Sequence, residues 1–342
     1  MFFPDDSPDE NGLPGRCTAI IPQGYLADRQ RNNTFMIQSR AKAIIVTLVI
    51  LFGMSFGTVL AKKTYTSVSP ATFLYMCLLI GMATMALYTF AIRRERVPWD
   101  LMTPKIWVYV FEIAFFNFVT GTLILFSLQY MPATTNTYIT NFIGFITMGM
   151  SIVILKEHPS VFQVLGAVIA FSGLRMFFPE LPKSGEMLGI VMILIAITGI
   201  AFTNNIARKL AIETENRISN NIISTLAILI GGSIAVVIYV AIDGFPPVVP
   251  TLADWGVILY TGIFSRAIGL TAWNLILRTL RSYEASILGA STVIWTSLLA
   301  VLILKETLMM HQIFAISMML VGLALVQVRS GSFGSLLARV RR

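Results

Sequence analysis

Polar and apolar positions along this chain are segregated into long blocks. Ten apolar runs of 18 to 23 residues are separated by shorter polar segments. A helix needs about 20 mostly apolar residues to cross a bilayer, whereas a transmembrane barrel would show segments of about ten residues with alternating polarity. We therefore predict an all-α integral membrane protein with ten transmembrane helices, at residues 43–61, 71–92, 106–128, 133–154, 161–178, 187–207, 219–241, 254–276, 284–304 and 310–328.

Prolines support these boundaries. None of the 14 prolines lies in the middle of a run, and Pro70, Pro132 and Pro159 lie where runs begin. A proline in the first turn of a helix costs no hydrogen bond, because the N–H groups there have no intrahelical acceptor. The pattern predicts continuous helices, in which any hinge must use a glycine such as Gly121 or Gly269.

Composition narrows the functional classes. The 342 residues are 56% hydrophobic and 12% charged, whereas soluble domains carry about 25% charged residues. This excludes a cytosolic enzyme, a disulfide scaffold, a disordered chain and a separate soluble catalytic domain. The net charge of +8 is explained by basic loops that orient the helices, so no nucleic-acid partner is expected.

Basic residues also predict the orientation. With the N-terminus in the cytoplasm, 19 of the 25 lysines and arginines lie on the cytoplasmic side, five lie outside, and Arg266 lies within a run. Cytoplasmic loops of membrane proteins are enriched in Lys and Arg. We expect a multi-pass protein of the cell (inner or plasma) membrane with both termini in the cytoplasm; an organelle membrane remains open.

The sequence contains an internal repeat. The Ile-Leu-Lys-Glu of residues 154–157 recurs at 303–306, an offset of 149. Further matches have nearly the same offset: Gly121 with Gly269 at 148, and Gly53–Lys63 with Gly199–Lys209 at 146. Coincidence among apolar helices would not place several groups of matching residues at nearly the same offset.

The repeat predicts the domain organisation. A first five-helix unit covers 43–178 and a second covers 187–328, between an N-terminal cytoplasmic tail at 1–42 and a basic C-terminal tail at 329–342. Because five is odd, the second unit enters the membrane from the opposite side, so the units are inverted repeats. Such symmetry underlies alternating access, with the substrate near the bilayer midplane between the repeats.

These features resemble the drug/metabolite transporter superfamily, specifically its EamA-type ten-helix exporters. The resemblance covers about residues 41–328 and is carried by the duplicated unit and by four segments: Tyr130–Ala133, Ile154–Glu157, Tyr283–Ser286 and Ile303–Glu306. It implies ten helices around a central cavity, small organic solutes as cargo and frequent export. The family often has a proline inside helices four and nine, and this chain has none there.

Two charged residues lie well inside the predicted spans. Arg266 is near the middle of the eighth run, and Glu112 is about 10 Å inside the third. A charge inside the bilayer usually faces a cavity or a partner. Arg266 could bind a substrate carboxylate or phosphate, or form a structural ion pair. Glu112 could couple transport to protons or bind a substrate amine, or it could extend to the interface or pair with Lys105.

Polar and aromatic residues cluster in the fourth and ninth runs. We expect Asn136, Tyr138, Asn141 and Trp295 to line a substrate cavity. The alternative is hydrogen bonding between helices and aromatic packing in the core, which occur in any helical bundle. Gly53 and Gly57, four residues apart, would permit close helix packing.

The sequence favours a secondary transporter that exports a small polar or amphipathic, amino-acid-like metabolite by alternating access. A passive facilitator or a lipid-head-group flippase of the same fold is the alternative within transport. A membrane-embedded lipid-modifying enzyme is the alternative of another class, but catalytic motifs and metal-binding spacings are absent from the sequence. We expect no enzyme activity, cofactor or metal. The expected partners are a solute and the lipid bilayer, and the chain is expected to be a monomer, with a homodimer as the alternative.

Overall fold

The computed structural model describes residues 40–154, 160–215, 217–269, 272 and 288–326. The regular secondary structure of these residues is helical, without strands. Their α-helices are α1 (Arg40–Thr64), α2 (Pro70–Ala86), α3 (Pro104–Ala114), α4 (Leu123–Phe126), α5 (Ala133–Thr140), α6 (Ile143–Ile154), α7 (Val161–Phe177), α8 (Ser184–Glu213), α9 (Asn220–Asp243), α10 (Leu252–Tyr260), α11 (Thr292–Leu299) and α12 (Met310–Val326).

Shorter helical turns extend several of these helices. Four are π turns, in which the helix widens, and one is a 3₁₀ turn. The π turns are Leu87–Ile92, Phe115–Thr120, Thr261–Ile268 and Ala300–Leu304, and the 3₁₀ turn is Ser127–Gln129.

Five helical segments of the described chain are both long and apolar enough to cross a membrane: Ile45–Thr64, Pro70–Ile92, Pro104–Gln129, Ser184–Ala211 and Asn220–Asp243. Three shorter apolar helices are Val161–Phe177, Leu288–Leu304 and Met310–Leu325. The all-helical class is therefore confirmed, whereas the count of ten spans stays a prediction. The tails beyond 40–326 and parts of the eighth and ninth runs lie outside the described residues.

Helix starts follow from local chemistry. Ser69 accepts a hydrogen bond from the N–H of Thr72, and Pro70 is the first residue of α2. Thr103 and Pro104 have the same roles at α3. Ser160 and Gln163 form a reciprocal capping box at α7. These side chains satisfy N–H groups that have no acceptor within the helix.

The helices depart from regular α geometry at two pairs of positions that correspond in the repeats. In the π turns, the N–H of Gly121 donates to the carbonyl of Phe116, and the N–H of Gly269 donates to that of Phe264. Both bonds span five residues, and the two sites differ by 148 in number. Each π turn therefore widens its helix at the same point of its repeat.

The second pair of irregularities breaks the regular α-helical hydrogen bonding at Phe142 and Ser291, 149 residues apart, while Leu288–Leu304 continues as one helical segment. The N–H of Phe142 donates to Ile139 (3.0 Å), and that of Ser291 donates to Leu288 (2.9 Å), so both bonds reach back only three residues. No proline causes these breaks. Side chains compete for nearby carbonyls instead, because Asn141 Nδ2 donates to Thr137 and Thr292 Oγ1 to Gly289, which weakens regular helix pairing.

Buried side chains form two core clusters. One surrounds α2 and α9 and includes Leu74, Tyr75 and Ile228. The other joins α5, α7, α8, α11 and α12. Large apolar side chains such as Val161 and Leu302 remain exposed on the outside, as expected for a surface that faces lipid.

Close packing between α1 and the Leu252–Ile268 segment depends on Gly53 and Gly57. A Cβ added at Gly53 would collide with the ring of Phe264, and one at Gly57 would lie 2.9 Å from Ser265 Oγ. Tyr260 OH donates to the carbonyl of Gly53 at 2.9 Å. The structure therefore agrees with the close helix approach that the sequence permits.

Candidate functional site

The breaks at Phe142 and Ser291 meet at a set of polar residues that we call the crossing site: Asn141, Ser291, Thr292 and Trp295. Asn141 Nδ2 donates to Thr292 Oγ1 at 3.3 Å, which joins the two repeats. From α1, Ser55 Oγ donates to the carbonyl of Thr292 at 3.3 Å. The crossing site therefore joins the midpoints of the fourth and ninth predicted spans to the first.

A cavity of about 300 Å³ opens beside the crossing site. Its lining is Leu288, Ala290, Ser291, Ile294 and Leu320. Two buried polar atoms at the crossing site have no hydrogen-bond partner, Ser291 Oγ and Trp295 Nε1. The Trp295 ring packs edge-on against Phe52 with centroids 5.5 Å apart. Of the two atoms, only Ser291 Oγ belongs to a residue that lines the cavity, and Asn136, Tyr138, Asn141, Trp295, Arg266 and Glu112 are not among its lining residues. Apolar walls with a few polar groups are typical of small-molecule sites.

Asn136 and Tyr138 have different surroundings. Asn136 is buried, and its Nδ2 donates to the carbonyl of Ile124 (2.7 Å) and to Ser127 Oγ (2.8 Å). Tyr138 is fully buried and stacks on Phe177 with centroids 4.1 Å apart, while its hydroxyl has no partner. In this conformation the Asn136 amide therefore holds one backbone carbonyl and one hydroxyl of the preceding segment, and the Tyr138 ring belongs to the second core cluster.

Arg266 lies in the π turn Thr261–Ile268. A Cβ at Gly81 of α2 would come within 2.9 Å of the Arg266 Cβ, so the side chain starts from a tight contact. Its Nε is buried without a hydrogen bond. In the described part of the chain, no hydrogen bond joins Arg266 to Asn136, Tyr138 or Asn141.

Glu112 has one buried carboxylate oxygen, Oε2, without a hydrogen-bond partner. It does not pair with Lys105, which instead binds Glu213 at 2.8 Å. Tyr109 OH donates to the other Glu213 oxygen at 3.3 Å. The hydrogen bond from Lys105 holds the pKa of the Glu213 carboxyl below its ordinary value.

Sequence reasoning missed a group of residues that contact one another, which we call the Glu306 junction: Glu306, Lys62, Ala133 and Thr134. Glu306 accepts from the N–H groups of Ala133 (2.7 Å) and Thr134 (3.2 Å) and from Thr134 Oγ1 (3.1 Å). Lys62 Nζ donates to the carbonyls of Leu128 and Met131 and interacts electrostatically with Glu306. Both residues were visible as anchors of the repeat, but spacing alone does not reveal tertiary partners.

Comparison with known proteins identifies the fold and the family. A search of curated proteins finds no match. One solved crystal structure, described only as that of a protein, matches 85% of this chain and 99% of its own with a TM-score of 0.59 and 16% identity. At that identity the likeness shows the fold alone.

The sequence also matches a family profile twice. The EamA-like transporter family profile matches residues 41–178 and again residues 187–328. The duplicated match agrees with the paired π turns and the paired helix breaks. Together with the apolar helices, it identifies a multi-pass membrane protein of the drug/metabolite transporter type. The chain belongs to the EamA-like transporter family.

Proposed function

We propose that the protein is a secondary transporter that exports a small polar or amphipathic, amino-acid-like metabolite by alternating access. The carrying observation is the pair of helix breaks at Phe142 and Ser291, which occur at equivalent positions and meet at the crossing site. Transporters with repeated folds use discontinuous helices near the midplane to bind their cargo. The two repeats can exchange conformations around such a point.

In this proposal the cargo binds at the crossing site and the adjacent cavity. Ser291 Oγ and Trp295 Nε1 would hydrogen-bond to the cargo, because both lack a protein partner. Asn141 donates a long hydrogen bond to Thr292 at 3.3 Å. It would break this bond and donate to the cargo instead. Glu112, with an unpartnered oxygen, would carry a coupled proton.

The protein would cross the plasma or inner membrane ten times, with both termini in the cytoplasm. The distribution of Lys and Arg supports this orientation. In a variant without native cysteines, an impermeant thiol reagent added outside should modify a cysteine placed at Lys183 or Val248. It should not modify one at Asp100 or Glu213, and the reverse pattern would refute the orientation.

Flux measurement tests the transport function. Purified protein in proteoliposomes should release labelled candidate solutes faster than empty vesicles, and a pH gradient should change the rate if export is coupled to protons. Equal rates with and without the gradient would support a facilitator. Movement of labelled lipid alone would support a flippase. Chemical conversion of lipid without flux would support an enzyme, and no activity of any kind would refute the proposal.

A matched pair of variants locates the cargo. Trp295→Phe keeps an aromatic ring next to Phe52 but removes the unpartnered N–H donor. Transport should fall about tenfold if that donor binds cargo. The control is Trp99→Phe, because Trp99 is exposed in the polar segment after the second predicted span. Equal transport by both variants would remove Trp295 from the site.

A further inference from the structure

Arg266 is a positive charge without a counter-charge in the described structure. Its Nε is buried and unpartnered, and no described carboxylate lies within ion-pair distance of the guanidinium. Part of the residue's surface remains accessible. A buried guanidinium normally has a carboxylate, phosphate or carbonyl partner, and the described residues supply no charged partner for this one.

The ionisable groups near Arg266 cannot supply this partner. Tyr65, Cys77 and Tyr239 are close enough to interact with it electrostatically, but tyrosine and cysteine side chains are ordinarily neutral at pH 7. Each also has another partner. Tyr65 OH donates to Leu125 (3.0 Å), Cys77 Sγ to Ile258 (3.5 Å), and Tyr239 OH bonds Thr122 Oγ1 (2.9 Å). The guanidinium is therefore surrounded by neutral groups that are already engaged.

The repeat shows that the charge is not required by the fold. The position equivalent to Arg266 is Phe118, because Gly121 and Gly269 end the two π turns in the same way. Phe118 is buried in the first core cluster. The same backbone geometry thus forms around an apolar side chain in one repeat and around an arginine in the other. A π turn is also a frequent feature of functional sites.

We propose that Arg266 binds an anionic group, a carboxylate or a phosphate, on the cargo. The inference rests on the proposed transport function and specifies its substrate class. The planar guanidinium can bind either group through two parallel hydrogen bonds. The close contact with Gly81 fixes the start of the side chain, so the fork is held in place before the anion arrives.

Binding to the full-length protein in phosphatidylcholine nanodiscs tests the proposal with paired soluble probes. Each pair differs only in its negative group: leucine and leucinamide, and glycerol 3-phosphate and glycerol. In at least one pair, the member that carries the carboxylate or phosphate (the anionic member) should bind the wild-type protein and raise its unfolding temperature more than the member without that group does. The lipid is the same in every measurement, so a difference within a pair comes from the soluble probe.

Three variants assign the effect to this side chain. Arg266→Met should lose the preference for the anionic member, about 10- to 100-fold in affinity, because a charge-assisted hydrogen-bond pair is removed. Arg266→Lys should keep the charge but bind more weakly, since it lacks the fork. Arg217→Gln removes an exposed arginine and should change nothing.

Several results would overturn the proposal. One is a wild-type protein that prefers no anionic probe, and another is a folded Arg266→Met variant with unchanged preference. If Arg266→Met does not fold, unchanged binding by Arg266→Lys rejects the bidentate contact. Flux of only those probes that lack the carboxylate or phosphate would support the transport function and reject only the role of Arg266.

Discussion

Glu306 and Glu213 are both acidic residues of the second repeat that bind the first repeat, at opposite ends of the helical segment 104–129. Glu213 binds the side chains of Lys105, near the start of that segment, and Tyr109. Glu306 binds the backbone of Ala133 and Thr134, just beyond its end. The first contact uses long side chains, of which Lys105 is 63% exposed, whereas the second satisfies N–H groups of a buried helix.

The two contacts should therefore differ in strength. Exposed ion pairs contribute little, because water and salt screen them and ordering the side chains costs entropy. A carboxylate at a helix N-terminus forms charge-assisted hydrogen bonds and interacts favourably with the helix dipole. Pro132, which precedes α5, provides no side-chain cap of its own, so Glu306 takes that role from the other repeat. We expect the Glu306 end to be held more tightly.

The largest loss of stability in a contact between the repeats is expected for Glu306→Gln. The change removes the charge that caps α5, and a lost cap costs about 1–2 kcal/mol. Ala133 is fully buried, so a cysteine placed there, with Cys17 and Cys77 replaced, reports opening of the Glu306 junction. A thiol reagent should react with it about 5- to 30-fold faster in Glu306→Gln, as that energy implies. Glu213→Gln is the matched control, and equal acceleration by both variants would contradict the comparison.

A smaller loss of stability is expected for Lys62→Met. The substitution leaves the carbonyls of Leu128 and Met131 without their donor and leaves Glu306 without its neighbouring positive charge. A typical hydrogen bond contributes about 0.5–1.5 kcal/mol to stability, so the thermal unfolding temperature should fall. Lys63→Met is the control at the next, exposed position. If both variants unfold at the same temperature, Lys62 does not stabilise the junction.

The smallest loss of stability is expected for Glu213→Gln, and this loss should depend on pH. The pKa of Glu213 is lowered by Lys105, so the contact stabilises the folded protein above the ordinary Glu value of about 4.3. The stabilisation is lost as the pH falls through the lowered pKa of the folded state. The difference in unfolding temperature between wild type and Glu213→Gln should thus be present at pH 7 and vanish in acid. A difference that persists in acid would assign it to packing rather than charge.

The sequence predicted features that depend on composition and spacing. Apolar runs predicted membrane helices, and the recurrence of Ile-Leu-Lys-Glu predicted the duplication. It did not predict the break at Phe142, because the break follows from the side chain of Asn141 bonding Thr137 rather than from a proline or glycine. Nor did it predict the Glu306 cap, which depends on residues 173 positions apart meeting in three dimensions.

The partners of the candidate site residues could not be predicted, for a related reason. The amide side chains of Asn136 and Asn141 are both costly to bury, but sequence does not show which acceptors they reach. Asn136 bonds the turn immediately before its own helix, whereas Asn141 bonds the other repeat. The same residue type thus stabilises one repeat locally and joins the two repeats elsewhere.

The paired irregularities also show where the two repeats are alike and where they differ. Phe116 and Phe264 accept equivalent π-turn bonds, and Phe142 and Ser291 make equivalent short bonds. These backbone features therefore belong to the repeat unit and not to one copy of it. Arg266 has no counterpart in the first repeat, where Phe118 stands. At this register the two repeats thus share a backbone path but not a charge.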